Sequence, residues 1–324
     1  MLQNKNILIT GGAGFIGSNL VERFLNQNNR VTVLDNFATG KRENIEEFLS
    51  HKDFTLIEGD IRNLEDCLKA TLGQDIILHQ AALGSVPRSI NDPITTNEVN
   101  INGFLNMLVA CRDNKVPRFV YAASSSTYGD SKALPKVEEN IGAPLSPYAV
   151  TKYVNELYAK VFADLYGLQV IGLRYFNVFG RRQDPEGAYA AAIPKFIRSF
   201  SKYVSPQIHG DGSQTRDFTY IENVIQANEL AATATNPKAM GQVFNVAFGE
   251  EIILNDLVKL IREVLSGIDK KIATVEINYG PERIGDIKYS LASIDKAKSL
   301  LGYAPEYSME RGLRDAIKWY WKNK

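Results

Sequence analysis

A glycine-rich turn between a strand pattern and a helix pattern constrains the fold of this chain more than any other segment. The apolar run Asn6 to Thr10 leads directly into Gly11-Gly12-Ala13-Gly14-Phe15-Ile16-Gly17, and a helical pattern continues from Ser18 to Leu25. Glycines in this setting permit a tight turn, let the backbone approach a pyrophosphate and allow close helix packing. The helix start adds free N–H groups and the positive end of a dipole. The segment therefore predicts a dinucleotide-binding unit.

Five further strand patterns alternate with helix patterns, which predicts an α/β fold with a doubly wound parallel sheet. These patterns cover Arg30 to Leu34, Phe54 to Glu58, Ile76 to His79, Arg118 to Ala123 and Leu168 to Arg174. The alternation stops after Gly180. We therefore expect a Rossmann domain over residues 1–179 and a smaller α/β substrate lobe over residues 180–324, with some of its segments returning to the first domain. The segment Gly84 to Pro93 lacks periodicity and is expected to be a loop.

The acidic residue after the second strand indicates which dinucleotide is bound. Asp35 stands where a carboxylate can accept hydrogen bonds from an adenosine ribose, and it would repel a 2′-phosphate. NAD is therefore favoured over NADP, although Lys41 and Arg42 nearby weaken that exclusion slightly. Asp60 and Ile61 follow the third strand, where they can face the adenine.

The run Ser146 to Tyr153 is the best candidate for the chemistry. Ser146 can cap a helix and Pro147 fits its first position, so Tyr148 and Lys152 share one helix face. A neighbouring ammonium favours the phenolate form of a tyrosine and brings its pKa towards working range. A hydroxyl cluster, Ser124-Ser125-Ser126, follows the fifth strand, where ligands of parallel sheets bind.

Composition excludes several functional classes. The 324 residues carry 37 basic and 37 acidic side chains, so net charge favours neither a nucleic acid nor a membrane surface as partner. Two cysteines and three histidines predict no metal site and no disulfide framework, which fits a reduced cytoplasm. His79 ends a buried strand pattern and is expected to be a core residue rather than a base.

In this order of motifs the chain resembles the extended short-chain dehydrogenase/reductase family over essentially its whole length. Within that family it is similar to the UDP-hexose 4-epimerases, and most of all to bacterial enzymes that act on UDP-GlcNAc and UDP-GalNAc. The runs from His79 to Ser89 and from Arg174 to Asp184 carry this finer resemblance. It implies an NAD-dependent inversion at C4 of a UDP-sugar through a 4-ketose, and a homodimer.

The resemblance also implies roles for individual residues. It implies that Tyr148 is the acid and base, that Lys152 holds the ribose and lowers the Tyr148 pKa, and that Ser124 bonds the reacting oxygen, with Ser125 and Ser126 as candidates to share that task. The implied NAD site comprises Gly11, Gly14, Phe15, Ile16, Gly17, Asp35, Asn36, Asp60, Ile61, Gln80, Ala81, Ala82, Tyr148, Lys152, Tyr175 and Val178. The positions that match a site for the nucleotide diphosphate are Asn177, Arg216 and Arg283.

A few matched positions bear on the sugar. Many UDP-galactose epimerases carry a Lys where this chain has Gly84, and some close the pocket with a Tyr where it has Ser290. The smaller residues favour an N-acetyl group, because bulk there would exclude it. Gln183 is a candidate to bond the acetamide, and Ser85 lies in the same candidate loop.

Alternative functions stay open at this point. The basic residue Arg88 leaves a UDP-N-acetylhexosaminuronic acid open as an alternative substrate. UDP-Glc and UDP-Gal are a further pair of candidate substrates. A 4,6-dehydratase would need Asp-Glu in the turn after the fifth strand, where this chain has Ser125-Ser126-Thr127. A non-catalytic nucleotide sensor could dispense with Tyr148 or Lys152.

Overall fold

The computed structural model describes residues 2–186, 191–282 and 288–323. Its strands are β1 Asn6–Thr10, β2 Arg30–Asp35, β3 Phe54–Glu58, β4 Ile76–His79, β5 Arg118–Ser124, β6 Gln169–Tyr175, β7 Val178–Phe179, β8 Gln207–His209, β9 Thr215–Asp217, β10 Thr219–Tyr220, β11 Gln242–Val246, β12 Glu251–Ile253 and β13 Asn278–Gly280. Its α-helices are α1 Phe15–Leu25, α2 Leu64–Thr71, α3 Val86–Asn91, α4 Pro93–Asn97, α5 Gly103–Asp113, α6 Pro147–Tyr166, α7 Ala192–Ser201, α8 Ile221–Thr233, α9 Leu254–Ser266, α10 Asp295–Leu301 and α11 Met309–Lys322.

Seven strands form one parallel sheet in the order β11-β6-β5-β4-β1-β2-β3. The doubly wound parallel α/β sheet expected from the sequence is confirmed. The register pairs Thr10 with His79 and Ser124 with Tyr175, so the last residues of these strands meet at one edge. The strand order reverses between β1 and β4, and sheets of this kind bind ligands at such a switch point.

The sheet is buried on both faces, as its alternating side chains require. Ile7 and Ile9 of β1 join one hydrophobic cluster, whereas Leu8 between them joins the cluster on the other face. The same alternation separates Val120 from Phe119 in β5. Successive side chains of a strand point to opposite faces, so helices on both sides cover the sheet.

Part of the second half of the chain returns to the sheet. β11 pairs with β6, and α8 packs against β5 and α1. Three two-stranded sheets, β10-β7, β12-β9 and β13-β8, lie outside the main sheet. The boundary at residue 179 stays a prediction, and residues 221–246 belong structurally with the first half.

The prediction of a loop from Gly84 to Pro93 is wrong, because this segment contains α3 and the start of α4. Ser85 caps α3 by accepting a hydrogen bond from the Arg88 amide, and proline stands in the first turn of each helix. Caps and an N-terminal proline stabilise helices that are too short to show periodicity. Across the described residues, none of the helices is both long and apolar enough to cross a membrane.

Candidate active site

The glycine turn after β1 forms a cradle that side chains would fill. Gly11 has a φ of 67°, and a Cβ on it would lie 2.8 Å from Ala81 Cα. A Cβ on Gly17 would lie 2.1 Å from the carbonyl oxygen of Gly11. The turn therefore brings bare backbone and the N-terminal amides of α1 to one place, which fits a pyrophosphate.

Asp35 at the end of β2 fixes the turn and faces the cleft. Its carboxylate accepts hydrogen bonds from the amides of Ala13, at 2.9 Å, and Phe37, at 2.8 Å. Burial raises the pKa of this carboxyl, while the two amide hydrogen bonds oppose that rise. The position is consistent with the predicted ribose contact.

The basic residues after β2 are engaged by carboxylates. Lys41 Nζ lies 3.1 Å from Asp184 Oδ1, and Arg42 Nη2 lies 2.5 Å from Glu58 Oε1. Each cation therefore already has a partner, which reduces its ability to attract a 2′-phosphate and favours the predicted preference for NAD. Asn36 donates to Asp60 at 3.0 Å, so these two predicted cofactor residues lie together.

Three side chains form a hydrogen-bonded group below the cleft. The Tyr175 hydroxyl donates to Gln80 Oε1 at 3.2 Å and accepts from Asn228 Nδ2 at 2.9 Å. Asn228 Oδ1 also accepts from Gln80 Nε2 at 3.2 Å. Burial raises the pKa of Tyr175 to about 12, so it stays a neutral phenol. Asn228, which is fully buried on α8, holds both predicted cofactor residues.

His79 is a core residue, as its place in the sequence suggested. It lies 2.8 Å from Thr10 Oγ1 through Nδ1 and packs against the rings of Phe104 and Phe119. Burial, with a smaller contribution from the charge of Lys152, lowers the pKa of His79 to about 3. The ring is therefore neutral and enclosed.

Ser124, Tyr148 and Lys152 meet at the end of β5. Ser146 caps α6 by accepting from the Ala149 amide at 3.1 Å, and the first two turns of α6 carry Tyr148 and Lys152. Lys152 Nζ donates to the Ala122 carbonyl at 2.8 Å and lies 6.0 Å from the centre of the Tyr148 ring.

Ser124 is the member of the serine cluster that contacts Tyr148. A hydrogen bond joins the two side chains. Ser124 Oγ accepts from the amide and the hydroxyl of Ser126, at 3.1 and 2.9 Å, so its own proton can be directed at Tyr148. Ser126 thus orients Ser124, and Ser125 lines the same cleft.

The pKa of Tyr148 differs from the sequence expectation. Burial raises the pKa of Tyr148, and the hydrogen bond with Ser124 opposes this rise. Burial is the larger influence on this pKa, and the Lys152 ammonium donates to the Ala122 carbonyl beside the ring. Burial lowers the pKa of Lys152 to about 8, while the charge of Glu156 opposes that fall.

Two cavities adjoin each other here, and Ser124, Tyr148 and Lys152 lie at the wall of the first. The first, of about 590 Å³, has at its wall all the predicted cofactor residues together with Gly84, Ser124, Ser125, Asn177 and Gln183. The second, of about 670 Å³, is lined among others by Asn177, Lys195, Gln207, His209 and Arg216. Asn177 and Val178 border both cavities. A ligand in the second cavity can therefore extend to Tyr148 in the first.

Some predicted substrate residues lie elsewhere. Ser85, Arg88, Ser126 and Ser290 are not among the residues that line either cavity. Ser85 accepts a hydrogen bond as the cap of α3. Arg283 lies outside the described residues. Ser290 lies between Lys288, which accepts from Thr215, and Ala292, which donates to Asp217, and it therefore runs beside Arg216.

Sequence reasoning missed most of the second cavity. Lys195, Gln207 and His209 come from segments without a motif, and only the three-dimensional packing brings them to Arg216. It also missed Arg182 and Asp184 as wall residues of the first cavity. The paired arginines at 181 and 182 were the one local signal for that wall.

Known proteins are similar to this chain over its whole length. The profile of the NAD dependent epimerase/dehydratase family matches residues 7–247, which contain the glycine turn, Ser124, Tyr148, Lys152 and Arg216. The solved UDP-N-acetylglucosamine 4-epimerase of Methanobrevibacter ruminantium M1, in complex with UDP-N-acetylmuramic acid, is 38% identical, with 100% of both chains covered and a TM-score of 0.93. The UDP-glucuronic acid 4-epimerase of Bacillus cereus, solved with UDP-glucuronic acid and NAD, is 32% identical, with 98% of this chain and 100% of that chain covered and a TM-score of 0.89. The UDP-glucose 4-epimerase of Mycolicibacterium smegmatis is 33% identical over 315 residues, 97% of each chain.

Proposed function

The chain belongs to the NAD-dependent epimerase/dehydratase family, and from that premise we propose that it is a UDP-sugar 4-epimerase that interconverts UDP-GlcNAc and UDP-GalNAc. The family resemblance and the NAD cofactor expected from the sequence are confirmed. The identity of the sugar and the roles of the individual residues are what we propose here.

The observation that carries this proposal is that the cavity with Ser124, Tyr148 and Lys152 at its wall shares Asn177 and Val178 with a second cavity. One cavity has the glycine cradle and fits the dinucleotide, and the other has Arg216 at its wall. A guanidinium can bind a diphosphate through two hydrogen bonds. A UDP-sugar anchored at Arg216 would direct its sugar past Asn177 to Tyr148.

In the proposed reaction Tyr148 moves one proton. As phenolate it takes the proton of the sugar 4-hydroxyl, while Ser124 hydrogen-bonds the same oxygen, and it returns the proton in the second half-reaction. NAD, held by the residues of the first cavity, would supply the acceptor and later the donor of the C4 hydride, and its cationic nicotinamide would favour the phenolate. Arg216 keeps the diphosphate in place while the ketose turns over.

The proposal of an N-acetylated sugar rests on space and on one unsatisfied acceptor. No described atom lies within 4 Å of a Cβ built on Gly84, at the wall of the first cavity. Gln183 donates to the Val178 carbonyl at 3.0 Å, and its Oε1 has no hydrogen-bond partner among the described residues. An acetamide N–H would satisfy that buried oxygen, which is costly to leave unpaired. The M. ruminantium relative, which holds an N-acetylated nucleotide sugar, is in line with this choice.

The alternatives have weaker support. Arg88, the residue that kept a uronic acid open, is not a wall residue of either cavity. The turn after β5 has hydroxyl side chains where a dehydratase would need an acid and a base, and Thr127 is buried against Glu156. A sensor would have no use for the Tyr148 and Lys152 pair.

Resolving C4 epimers from three substrates tests the proposal. Purified protein is incubated with UDP-GlcNAc, UDP-Glc or UDP-GlcNAcA without added NAD, and we expect UDP-GlcNAc to be converted fastest. Ser290→Tyr should abolish that conversion selectively, with Ser290→Ala as the matched control. Fastest conversion of the uronic acid, or an equal loss of UDP-Gal turnover in Ser290→Tyr, would contradict the proposed sugar.

Tyr148→Phe tests the proton transfer. Losing a positioned acid and base lowers turnover about 10²- to 10⁴-fold. The variant should still copurify with NAD, because the cradle is unchanged. Turnover equal to that of the unmodified protein would exclude Tyr148 as the proton carrier.

We also propose a homodimer through the outer face of α6. Val150, Leu157, Val161 and Leu165 form an exposed apolar stripe along that helix, and α3 and α4 with exposed Ile90 pack beside it. The stripe residues are uncharged, and the exposed Lys160–Asp164 ion pair lies beside them, so a symmetric contact with a second copy can bury the apolar side chains. Light scattering should give twice the monomer mass, and Leu157→Glu with Val161→Glu should give the monomer.

A further inference from the structure

We infer that residues 180–186, here called the clasp, close over the cofactor cleft and retain NAD between the two half-reactions, with Arg182 as the residue that anchors them. The clasp includes Gln183, which is proposed above to bond the acetamide, but the inference concerns release of the cofactor. It therefore goes beyond the proposed substrate.

The sheet order shows that the clasp crosses the cleft. Residues 180–186 follow β7, directly after β6, whereas residues 36–48 follow β2. In the sheet, β6 and β2 are separated by β5, β4 and β1, which is roughly 19 Å at the usual strand spacing. Yet Asp184 contacts Lys41 at 3.1 Å, and Arg182 contacts Glu47 at 2.6 Å. The chain therefore passes over the strand ends at which the cofactor cleft lies.

Arg182 attaches the clasp both to α1, where Arg181 also pairs with Glu22, and to the segment after β2. Its guanidinium lies 2.6 Å from both Glu22 of α1 and Glu47, and 5.6 Å from the centre of the Phe48 ring. The Arg182 side chain is only 9% exposed, and it lines the cleft. The Glu22 side chain is 28% exposed and the Glu47 side chain 63%, so the pair with Glu22 is screened less by salt than the pair with Glu47. Arg182 thus joins the clasp to α1 and to the segment that follows β2.

The backbone of the clasp needs this attachment. Arg182 has a φ of 64°, in the left-handed region that side chains disfavour. Such a conformation persists only where the surroundings determine it. Without its two carboxylate partners, residue 182 would relax towards an ordinary conformation, which would draw Asp184 away from Lys41 and open the cleft.

Retention of the reduced cofactor matters for this chemistry. The hydride taken from the sugar has to return to the same molecule, so cofactor loss after the first half-reaction leaves a stranded ketose. A bridge over the cleft must open before the dinucleotide leaves. Its strength therefore sets the release rate.

The test measures NADH release without any sugar. Protein loaded with NADH is mixed with excess NAD, and the decay of nicotinamide fluorescence gives the release rate. Arg182→Met keeps an apolar stem on Phe48 but removes the charge-assisted hydrogen bonds, and we expect roughly 10- to 100-fold faster release. Arg314→Met is the matched control, because Arg314 pairs only with Glu310 on α11 among the ion pairs of the described residues, and its release rate should not change.

Two further variants keep the inference falsifiable if Arg182→Met does not fold. Lys41→Met and Asp184→Asn remove a half-exposed pair and should each accelerate release about twofold, with no further gain in the double variant. Release rates equal to that of Arg314→Met in all folded clasp variants would overturn the inference. Clasp-dependent release in a protein that converts no UDP-sugar would overturn the proposed function and leave the clasp standing.

Discussion

The two cavities that meet at Asn177 are built in different ways. The cofactor cavity is shaped by backbone, since glycines at 11 and 17 and the small residues 81 and 82 leave space at adjacent strand ends. The second cavity is shaped by side chains from separate segments, including Lys195, Gln207 and Arg216. The comparison indicates that the first cavity tolerates little added volume, whereas the second responds mainly to changes of charge.

The largest expected effect is on the cofactor cavity, which is shaped by backbone. In Gly17→Ala the new methyl group would lie 2.1 Å from the Gly11 oxygen, so the turn must move. A displacement of about 1 Å near a reacting group can cost 10²-fold in rate, and we expect about that loss together with protein that purifies without NAD. Bound NAD is measured by absorbance after denaturation.

Gly167→Ala is the control for this prediction. Gly167 has a φ of 67° at the end of α6, and no described atom lies within 4 Å of its added Cβ. The substitution should cost about 1 kcal/mol of stability through its backbone alone and keep the NAD content. Equal NAD loss in both variants would mean that general destabilisation, not the cradle, determines binding.

The next effect concerns the stability that the fold loses by burying the Lys152 ammonium at the wall of the cofactor cavity. Burial lowers the pKa of Lys152 to about 8, below the ordinary lysine value of about 10.4. Between these values the unfolded chain binds more protons, so stability rises with pH, and below pH 8 the folded chain bears the cost of a buried ammonium. Lys152→Met should therefore stabilise the NAD-free protein at pH 7 by roughly 1–3 kcal/mol while removing activity.

Urea unfolding at pH 7 and pH 10 measures this effect. The stability difference between Lys152→Met and the unmodified protein should shrink at the higher pH, where Lys152 is neutral in the fold. Lys160→Met, at an exposed position of the same helix, should show no such difference. Lower stability of Lys152→Met at pH 7 would show that the contact with the Ala122 carbonyl outweighs burial.

The same contrast explains what the sequence could predict. The β1 turn, Asp35, and the Tyr148 and Lys152 pair are encoded in short segments whose geometry follows from strand, turn and helix rules. The contact of Asn228 with Tyr175 and the bridge from Arg182 to Glu47 join residues more than fifty positions apart, and the second cavity gathers side chains from several segments that carry no motif. The direction of the Tyr148 pKa shift also escaped prediction, because spacing shows that a lysine is near but not how deeply the phenol is buried.

The smallest effect is expected for the second cavity, which is shaped by side chains. Arg216 is partly exposed at the wall of the second cavity, so it bears little of the burial cost that Lys152 bears. Removing a charge-assisted contact to a diphosphate costs about 1.5 kcal/mol or more, so Arg216→Met should raise KM for the UDP-sugar roughly tenfold. Because the anchor binds ground state and transition state alike, kcat should fall less than KM rises. NAD content and unfolding free energy should stay the same, and a loss of NAD in this variant would mean that the two cavities are not independent.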